Sequence, residues 1–499
     1  MANAKVDLVI PPLMNQKGDV FGSGVPYMSM EVPYTAAALR AEGYDPAIVD
    51  AFGERPYQLT KYKKAYFLRG LRVDEAIARI RPDTGAVLVS SNSGLVSNYG
   101  IAYDFVCELV AKLKARFGVP VVVTGNFATI QFKDFLRLGA DFVLLSEYEE
   151  SAVQLLDALK KGDRDAVAKI DGIAYMKDGK TMVRPKQHFI ENPDTVPFPA
   201  WDLMPLQNYW RLGYSHGPFQ GRYLPLLTSR GCPLGCKFCF VPGIWGRRWK
   251  PRSAKNVVDE IEEFGRKFGV FDFHVEDYNP TVSNPRTLEI CRLIIDRGLK
   301  VKLKFAAGTK VETYNDETLG LMEKAGVNYI SISPESGSPR MLKLMAKPFD
   351  HAYALGRVRT MRRLGIRSQA CFVLGFPGET EDDRRQTEEY VLKLADAGID
   401  EVTLFIMTPV PGAPAATENE WEYESYESLS FSPTWRKEYR MLARYRLRLY
   451  LSFFLRKFLR RPLDSVRSFL NMFTRRFETK YEMTAYRVWD TYRRLFLGF

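Results

Sequence analysis

Histidine is nearly absent from this chain of 499 residues. The four present are His188, His216, His274 and His351, so the first 187 residues contain none. Cysteine is scarce too: Cys107, Cys232, Cys236, Cys239, Cys291 and Cys371 are too few, in too long a chain, for the disulfide framework of a small secreted domain. No run reaches the ~18 apolar residues of a membrane-spanning helix. The longest candidate in the tail, Leu449 to Leu455, lies between Arg448 and Arg456. The opening residues, MANAKVDLVIPP, lack the charged-then-apolar pattern of a secretory leader. There is no internal repeat and no low-complexity tract. These absences point to a reducing, cytoplasmic setting.

What is present is ordinary globular protein, 46% hydrophobic and 26% charged, long enough for roughly two to four domains. The net charge of +12 is concentrated at one end. Residues 435–499 carry 17 Lys and Arg against 5 Asp and Glu, a surplus equal to that of the whole chain. A basic balance suits an anionic membrane surface or nucleic acid, and here only the tail could supply it.

Residues 5–160 alternate short apolar strands with longer helices, the pattern of a doubly wound parallel sheet. Strands are expected at 6–10, 46–49, 86–91, 119–124 and 142–146, and helices at 33–41, 103–116 and 149–160. Ligands of such sheets sit at the C-terminal ends of the strands. Residues 170–186 read as a hairpin turning at Lys177-Asp178-Gly179-Lys180. A connector follows with Pro193, Pro197, Pro199 and Pro205, a linker signature. A second β/α alternation begins at Tyr223, with strands expected at 223–229, 271–276, 300–306, 327–333, 366–374 and 400–406. Six units in about 190 residues make a partial (β/α)6 barrel, short of the ~250 residues of a closed eight-unit one. The expected divisions are 1–165, 166–221, 222–415 and a helical basic region over 416–499.

The chemistry lies in Ser229-Arg230-Gly231-Cys232-Pro233-Leu234-Gly235-Cys236-Lys237-Phe238-Cys239, a C-x3-C-x2-C loop directly after a predicted strand. Iron–sulfur clusters are held by thiolates, four for an all-protein site, so three leave one iron open. Gly231 and Gly235 allow the loop to wrap closely. The alternative, a closed zinc site, wants four ligands, and the nearest fourth candidate is His216, far outside a usual knuckle spacing.

On these residues the chain resembles the radical S-adenosylmethionine (SAM) superfamily over about 222–415. The resemblance implies a [4Fe–4S] cluster on Cys232, Cys236 and Cys239. It implies SAM chelated on the open iron by its amino and carboxylate groups, and reductive cleavage to methionine and a 5′-deoxyadenosyl radical. Phe238 would pack on the adenine. His274-Val275-Glu276-Asp277 is similar to the acidic motif that meets the SAM amino group, with Glu276 and Asp277 sharing that role. Ser331-Ile332-Ser333-Pro334-Glu335-Ser336-Gly337 resembles a motif in which Ser333, Glu335 and Ser336 would meet the ribose and carboxylate, although Ser333-Pro334 departs from the common Gly-Ile-Glu-Ser. Gly375-Phe376-Pro377-Gly378-Glu379-Thr380 resembles a turn near the adenine that would use Gly375, Pro377 and Gly378. Thr380 is also positioned to cap the next helix. Pro409-Val410-Pro411-Gly412 matches a further family turn.

A Rossmann-like domain ahead of such a barrel resembles the cobalamin-dependent radical SAM group, through Pro33-Tyr34-Thr35-Ala36-Ala37-Ala38-Leu39-Arg40, Pro197-Phe198-Pro199-Ala200-Trp201-Asp202 and the segment from Trp245 to Ser253. The departures are specific. A D-x-H-x-x-G histidine for cobalt is missing, as it is in several members of the group. Thr124-Gly125-Asn126-Phe127 and Ser146-Glu147-Tyr148-Glu149 replace Gly-rich loops, and Tyr148 would crowd a corrin. Methylthiotransferases are less similar, because only Cys107 precedes Cys232.

This resemblance implies cobalamin-dependent methylation of an unactivated carbon or a phosphinate, with a flavodoxin or ferredoxin as electron donor. The alternatives are a radical cyclase, oxidoreductase or rearrangement enzyme with a degenerate cobalamin domain, and a non-catalytic metal-containing binding protein. Strand alternation could aim Gln369 and Cys371 into the barrel, where the Cys371 thiol could donate a hydrogen atom to a substrate radical; the alternative is a small core residue. The basic, Leu- and Phe-rich stretch 439–461 reads as an amphipathic helix on an anionic membrane. With that reading goes a hydrophobic, lipid-like or secondary-metabolite substrate. The alternative is a helix packed on the barrel, and nucleic acid is the lesser reading.

Overall fold

The computed structural model describes residues 4–19, 24–92 and 102–497, with side chains to 494. The N-terminal strands are β1 (Lys5–Ile10), β2 (Asp45–Asp50), β3 (Ala86–Ser90), β4 (Val121–Thr124) and β5 (Phe142–Leu144). Val6–Ile10 and Ala86–Ser90 are buried throughout, as near-continuous apolar strands covered on both faces must be. All five run parallel.

The hairpin is β6 (Ile173–Lys177) and β7 (Lys180–Arg184). Its turn has Asp178 and Gly179 at φ 51° and 73°, the two left-handed residues of a type I′ turn. It is not part of a free connector. β6 pairs antiparallel with β5, giving the order β7-β6-β5-β4-β3-β1-β2. The expected division places it with the linker, whereas apolar Ile173 and Ala174 extend the N-terminal sheet. A small antiparallel sheet of Leu13–Gln16, Leu59–Tyr62 and Tyr66–Arg69 was not foreseen.

The second unit has β8 (Tyr223–Leu226), β9 (Asp272–Val275), β10 (Lys302–Thr309), β11 (Val327–Glu335), β12 (Arg367–Leu374) and β13 (Glu401–Ile406). They lie in chain order, all parallel, with β8 and β13 at the two edges: an open six-stranded barrel. Its helices start where caps are available. Ser253 and Ser283 accept from the amides of Asn256 and Arg286. Thr380 and Asp383 form a reciprocal capping box.

Three C-terminal helices, Tyr439–Arg460, Pro462–Thr474 and Lys480–Leu497, close over β13 and helix Glu381–Ala397. Leu442, Tyr445, Leu449 and Phe453 are buried against the barrel. No helix among the described residues is long and apolar enough to cross a membrane.

Candidate active site

The short hairpin Ser229–Gly231/Trp249–Pro251 carries the cysteine loop off the end of β8. The backbone requires glycine at Gly231, whereas at Gly235 a Cβ would displace only a side-chain end. Gly231 has φ 74°, and a Cβ would sit 2.3 Å from the Arg248 carbonyl oxygen; a Cβ on Gly235 would sit 2.3 Å from the Arg247 guanidinium. The loop is pinned from two other elements: the Lys237 amide donates to Met345 O at 2.9 Å, and the Ala415 amide to Lys237 O at 2.8 Å. Cys232, Cys236 and Cys239 line one cavity of about 340 Å³ inside the barrel. Burial pushes their thiols up, Cys236 to about 11 and Cys239 to about 12, and Lys347 pulls all three the other way. Iron would displace these protons outright.

Among the described residues no three His, Cys, Asp or Glu side chains are gathered around a single-ion site. A cluster needs no such convergence, because each thiolate binds a different iron. His216 is not available as a fourth zinc ligand. Its Nδ1 lies 2.8 Å from Glu276 Oε2 and its Nε2 lies 3.3 Å from Lys480 Nζ, so both ring nitrogens are engaged.

Phe238, Ser333, Glu335 and Cys371 also line the cavity, as does Gln369. Alternation along β12 does aim Gln369 and Cys371 inward. The Cys371 thiol, pushed up to about 11 by burial, lies 3.5 Å from Ser331 Oγ. A register shift between Ile332 and Glu335 accommodates Ser333-Pro334 and leaves Glu335 at φ 63°, an uncommon conformation for a side chain of that size. The Glu335 carboxylate faces Lys347 at 3.5 Å.

Other expected residues stand behind the cavity wall. Asp277 Oδ1 accepts from the Thr228 amide at 2.7 Å, and Oδ2 from the Thr228 and Ser229 hydroxyls. Glu276 is occupied by His216. Both carboxylates have protein partners, so the acidic motif fixes the cavity wall rather than lining it. From the same segment Tyr278 and Asn279 reach the cavity instead. Asn279 Nδ2 is 3.9 Å from Cys232 Sγ; nothing in the motif resemblance signalled it. Ser336 accepts from the Ser338 amide and pairs with Thr387, away from the cavity. The turn at Gly375, Pro377 and Gly378 is outside it too. Glu379 accepts from the Gly375 amide at 2.9 Å, Arg340 donates to Gly378 O at 2.6 Å, and Leu442 packs where a Gly375 Cβ would be. The turn delivers Phe376 to an apolar group with Met341, Met345, Val373 and Met407, against which Phe238 packs.

The cysteine segment also meets the N-terminal sheet. Arg230 bridges Glu147 at 2.6 Å and Glu149 at 2.8 Å, Ser146 Oγ donates to Ile244 O at 3.0 Å, and Asn126 Nδ2 donates to Tyr278 Oη at 3.2 Å. Ser91, Asn92, Gly125, Asn126 and Ser146 stand at the C-terminal ends of three adjacent strands. They make a rim of small, hydrogen-bonding residues beside the switch point between β1 and β3. Tyr148 is buried beneath this rim, with its hydroxyl toward Thr124 and Thr35.

Residues 226–391 match the Radical SAM superfamily. This chain carries a radical SAM domain. Over 87% of its length the radical SAM chain is 27% identical to an uncharacterized methyltransferase of Pyrococcus horikoshii, covering 86% of it. Over 81% it is 27% identical to the cytidylyl-2-hydroxyethylphosphonate methyltransferase of Streptomyces wedmorensis, covering 80% of that protein. Its fold is that of the radical SAM methyltransferase TsrM of Kitasatospora setae, whose structure holds cobalamin and a [4Fe–4S] cluster. The TM-score is 0.64 at 19% identity, over 83% of this chain and 74% of TsrM.

Proposed function

We propose that this radical SAM enzyme is a cobalamin-dependent methyltransferase. The observation that carries the reading is the opening of three cysteines, Phe238, Ser333 and Glu335 onto one cavity, in whose wall Tyr278 accepts from Asn126 at the end of the N-terminal sheet. Bound there, the cluster and SAM would supply the 5′-deoxyadenosyl radical and cobalamin the methyl carrier. The chain's own part is binding, orientation and exclusion of water. Cys232, Cys236 and Cys239 hold the cluster. Phe238 and the Phe376 group give an apolar wall for the adenine. Ser333 and Glu335 offer acceptors to the SAM ribose and ammonium. Asp277, Ser336 and the turn at Gly375, Pro377 and Gly378 act from behind, by fixing these groups. Ser91, Asn92, Asn126 and Ser146 would meet the corrin.

The test is anaerobic incubation with SAM, a reductant and cobalamin, with mass spectrometry of the products. Formation of both 5′-deoxyadenosine and S-adenosylhomocysteine is expected. Deoxyadenosine alone would replace methyl transfer with another radical reaction, such as ring formation.

Peripheral contact with an anionic membrane through 439–461 is favoured by one further observation. Leu447, Leu451, Leu455, Phe458 and Leu459 are exposed on the helix whose other side packs on the barrel, within the segment that carries the whole net charge. Such a face binds lipid through apolar area and basic charge together. In a pelleting assay with anionic liposomes at low salt the protein is expected in the pellet; complete retention in the supernatant removes this contact.

A further inference from the structure

The last helix, Lys480–Leu497, lies wholly outside the segment matched by the superfamily, yet it forms part of the cavity. Lys480, Met483, Thr484 and Arg487 all line it. That spacing, i, i+3, i+4, i+7, is one face of a helix. The helix is seated by Glu401, which accepts from the amides of Lys480 at 3.0 Å and Tyr481 at 2.8 Å and from Tyr329 Oη at 2.5 Å. Glu401 is the first residue of β13, whereas the cysteine loop leaves the C-terminal end of β8. Glu401 is level with Gln369 and Ser331, so Lys480 stands deeper in the barrel than the cysteine loop.

The Lys480 ammonium donates to Ala306 O at 2.9 Å and to His216 Nε2 at 3.3 Å. Among the described residues it has no carboxylate within ion-pair distance. Glu276 reaches it only through the His216 ring, whose Nδ1–H it accepts. Arg487, two turns further along the same face, is buried, borders the same space and feels the charge of Asp19. Two further cations on the described wall face carboxylates: Lys347 faces Glu335 at 3.5 Å, and Lys310 faces Glu312 at 3.1 Å. Glu335 is the one carboxylate among those lining residues. The rest of this deeper part is apolar or neutral, with Phe405, Phe431, Tyr450, Gln369 and Thr403. A buried cation facing a cavity without a carboxylate of its own is stabilised by an anion entering that cavity.

We propose that Lys480, with Arg487, is the substrate-recognition pole of this enzyme, and that the substrate is a small amphipathic molecule whose carboxylate or phosphonate is held there. Its apolar part then extends along the phenyl groups toward the cluster. This rests on the radical SAM reading for the position of the reacting end, while the anion site itself does not depend on it. It also narrows the expected hydrophobic substrate to one with a charged end.

The experiment is calorimetric titration of the anaerobic, SAM-loaded holoenzyme with propionate and, separately, methylphosphonate at low salt. Saturable binding of at least one of them is expected, and the two arms tell which anion the site prefers. Lys480→Gln and Arg487→Gln should each weaken it by ten-fold or more, and Lys480→Arg should retain it, with unchanged iron content and visible absorption reporting intact folding. Absence of saturable anion binding in the wild type, or binding that Lys480→Gln leaves unchanged, overturns the proposal. Anion binding by a protein that does not cleave SAM would sink the radical reading and leave this site standing.

Discussion

At the scale of single residues, three thiols and one carboxylate do most to define the site. Replacing any one of Cys232, Cys236 and Cys239 by Ala leaves too few thiolates to hold a cluster. Each substitution is expected to abolish the iron–sulfur absorption and 5′-deoxyadenosine formation, checked by iron analysis and chromatography. Asp277 anchors the loop by three hydrogen bonds, from the Thr228 amide and the Thr228 and Ser229 hydroxyls. Asp277→Ala strips buried donors of their acceptor, at about 1–3 kcal/mol each way of counting. A lower unfolding midpoint and a lower iron occupancy after reconstitution are expected, whereas a direct SAM ligand would give normal iron and weakened SAM binding. Cys371 allows an equally sharp test. A thiol that donates a hydrogen atom predicts that Cys371→Ala stops product formation while deoxyadenosine still appears; unchanged turnover removes that role.

At the scale of elements, the strands and helices were legible because their signals are local. The apolar runs Val6–Ile10 and Ala86–Ser90, the Ser253 and Thr380 caps, and the Asp178-Gly179 turn all announce themselves within a few residues. That the three cysteines, Phe238, Ser333, Glu335 and Cys371 share one cavity is legible through motif order and strand alternation. What was not legible depends on long-range pairing. Nothing near Ile173 says that the hairpin joins β5. Nothing near Glu276 says that a histidine sixty residues earlier and a lysine two hundred later will engage it in a chain. The tail shows the same limit. The sequence 439–461 reads as basic and amphipathic, but only the fold shows that Arg448 meets Glu388, and Arg456 and Arg460 meet Asp396. These pairs are exposed and each contributes little; the packing of Leu449 and Phe453 holds the helix. Phe453→Ala should cost about 3–5 kcal/mol, and Leu455→Ala on the exposed face close to nothing, compared by thermal or denaturant unfolding.

At the scale of the whole molecule, the two β/α units are joined at the point where the chemistry would occur. Arg230, two residues before Cys232, is buried between Glu147 and Glu149. Removing one member of a buried charge group leaves the others uncompensated, at about 3–5 kcal/mol. Arg230→Met is expected to loosen the seam, seen as faster amide exchange at both 146–149 and 229–249. Exchange that rises on one side only would mean that the units are not coupled through this residue. The same seam connects the cysteine loop to the rim where a corrin would lie, and the last helix lines the deeper part of the barrel with Lys480. The one cavity is thus walled by the loop residues Val25 and Tyr27, the barrel and the C-terminal helices, with the N-terminal sheet adjoining it through the Asn126–Tyr278 bond.

The most direct test of the account is the metal itself. Protein reconstituted without oxygen should carry about four iron and four sulfide per chain, and when reduced in the presence of SAM should release 5′-deoxyadenosine. Protein that emerges colourless and free of iron, with SAM intact, would contradict it.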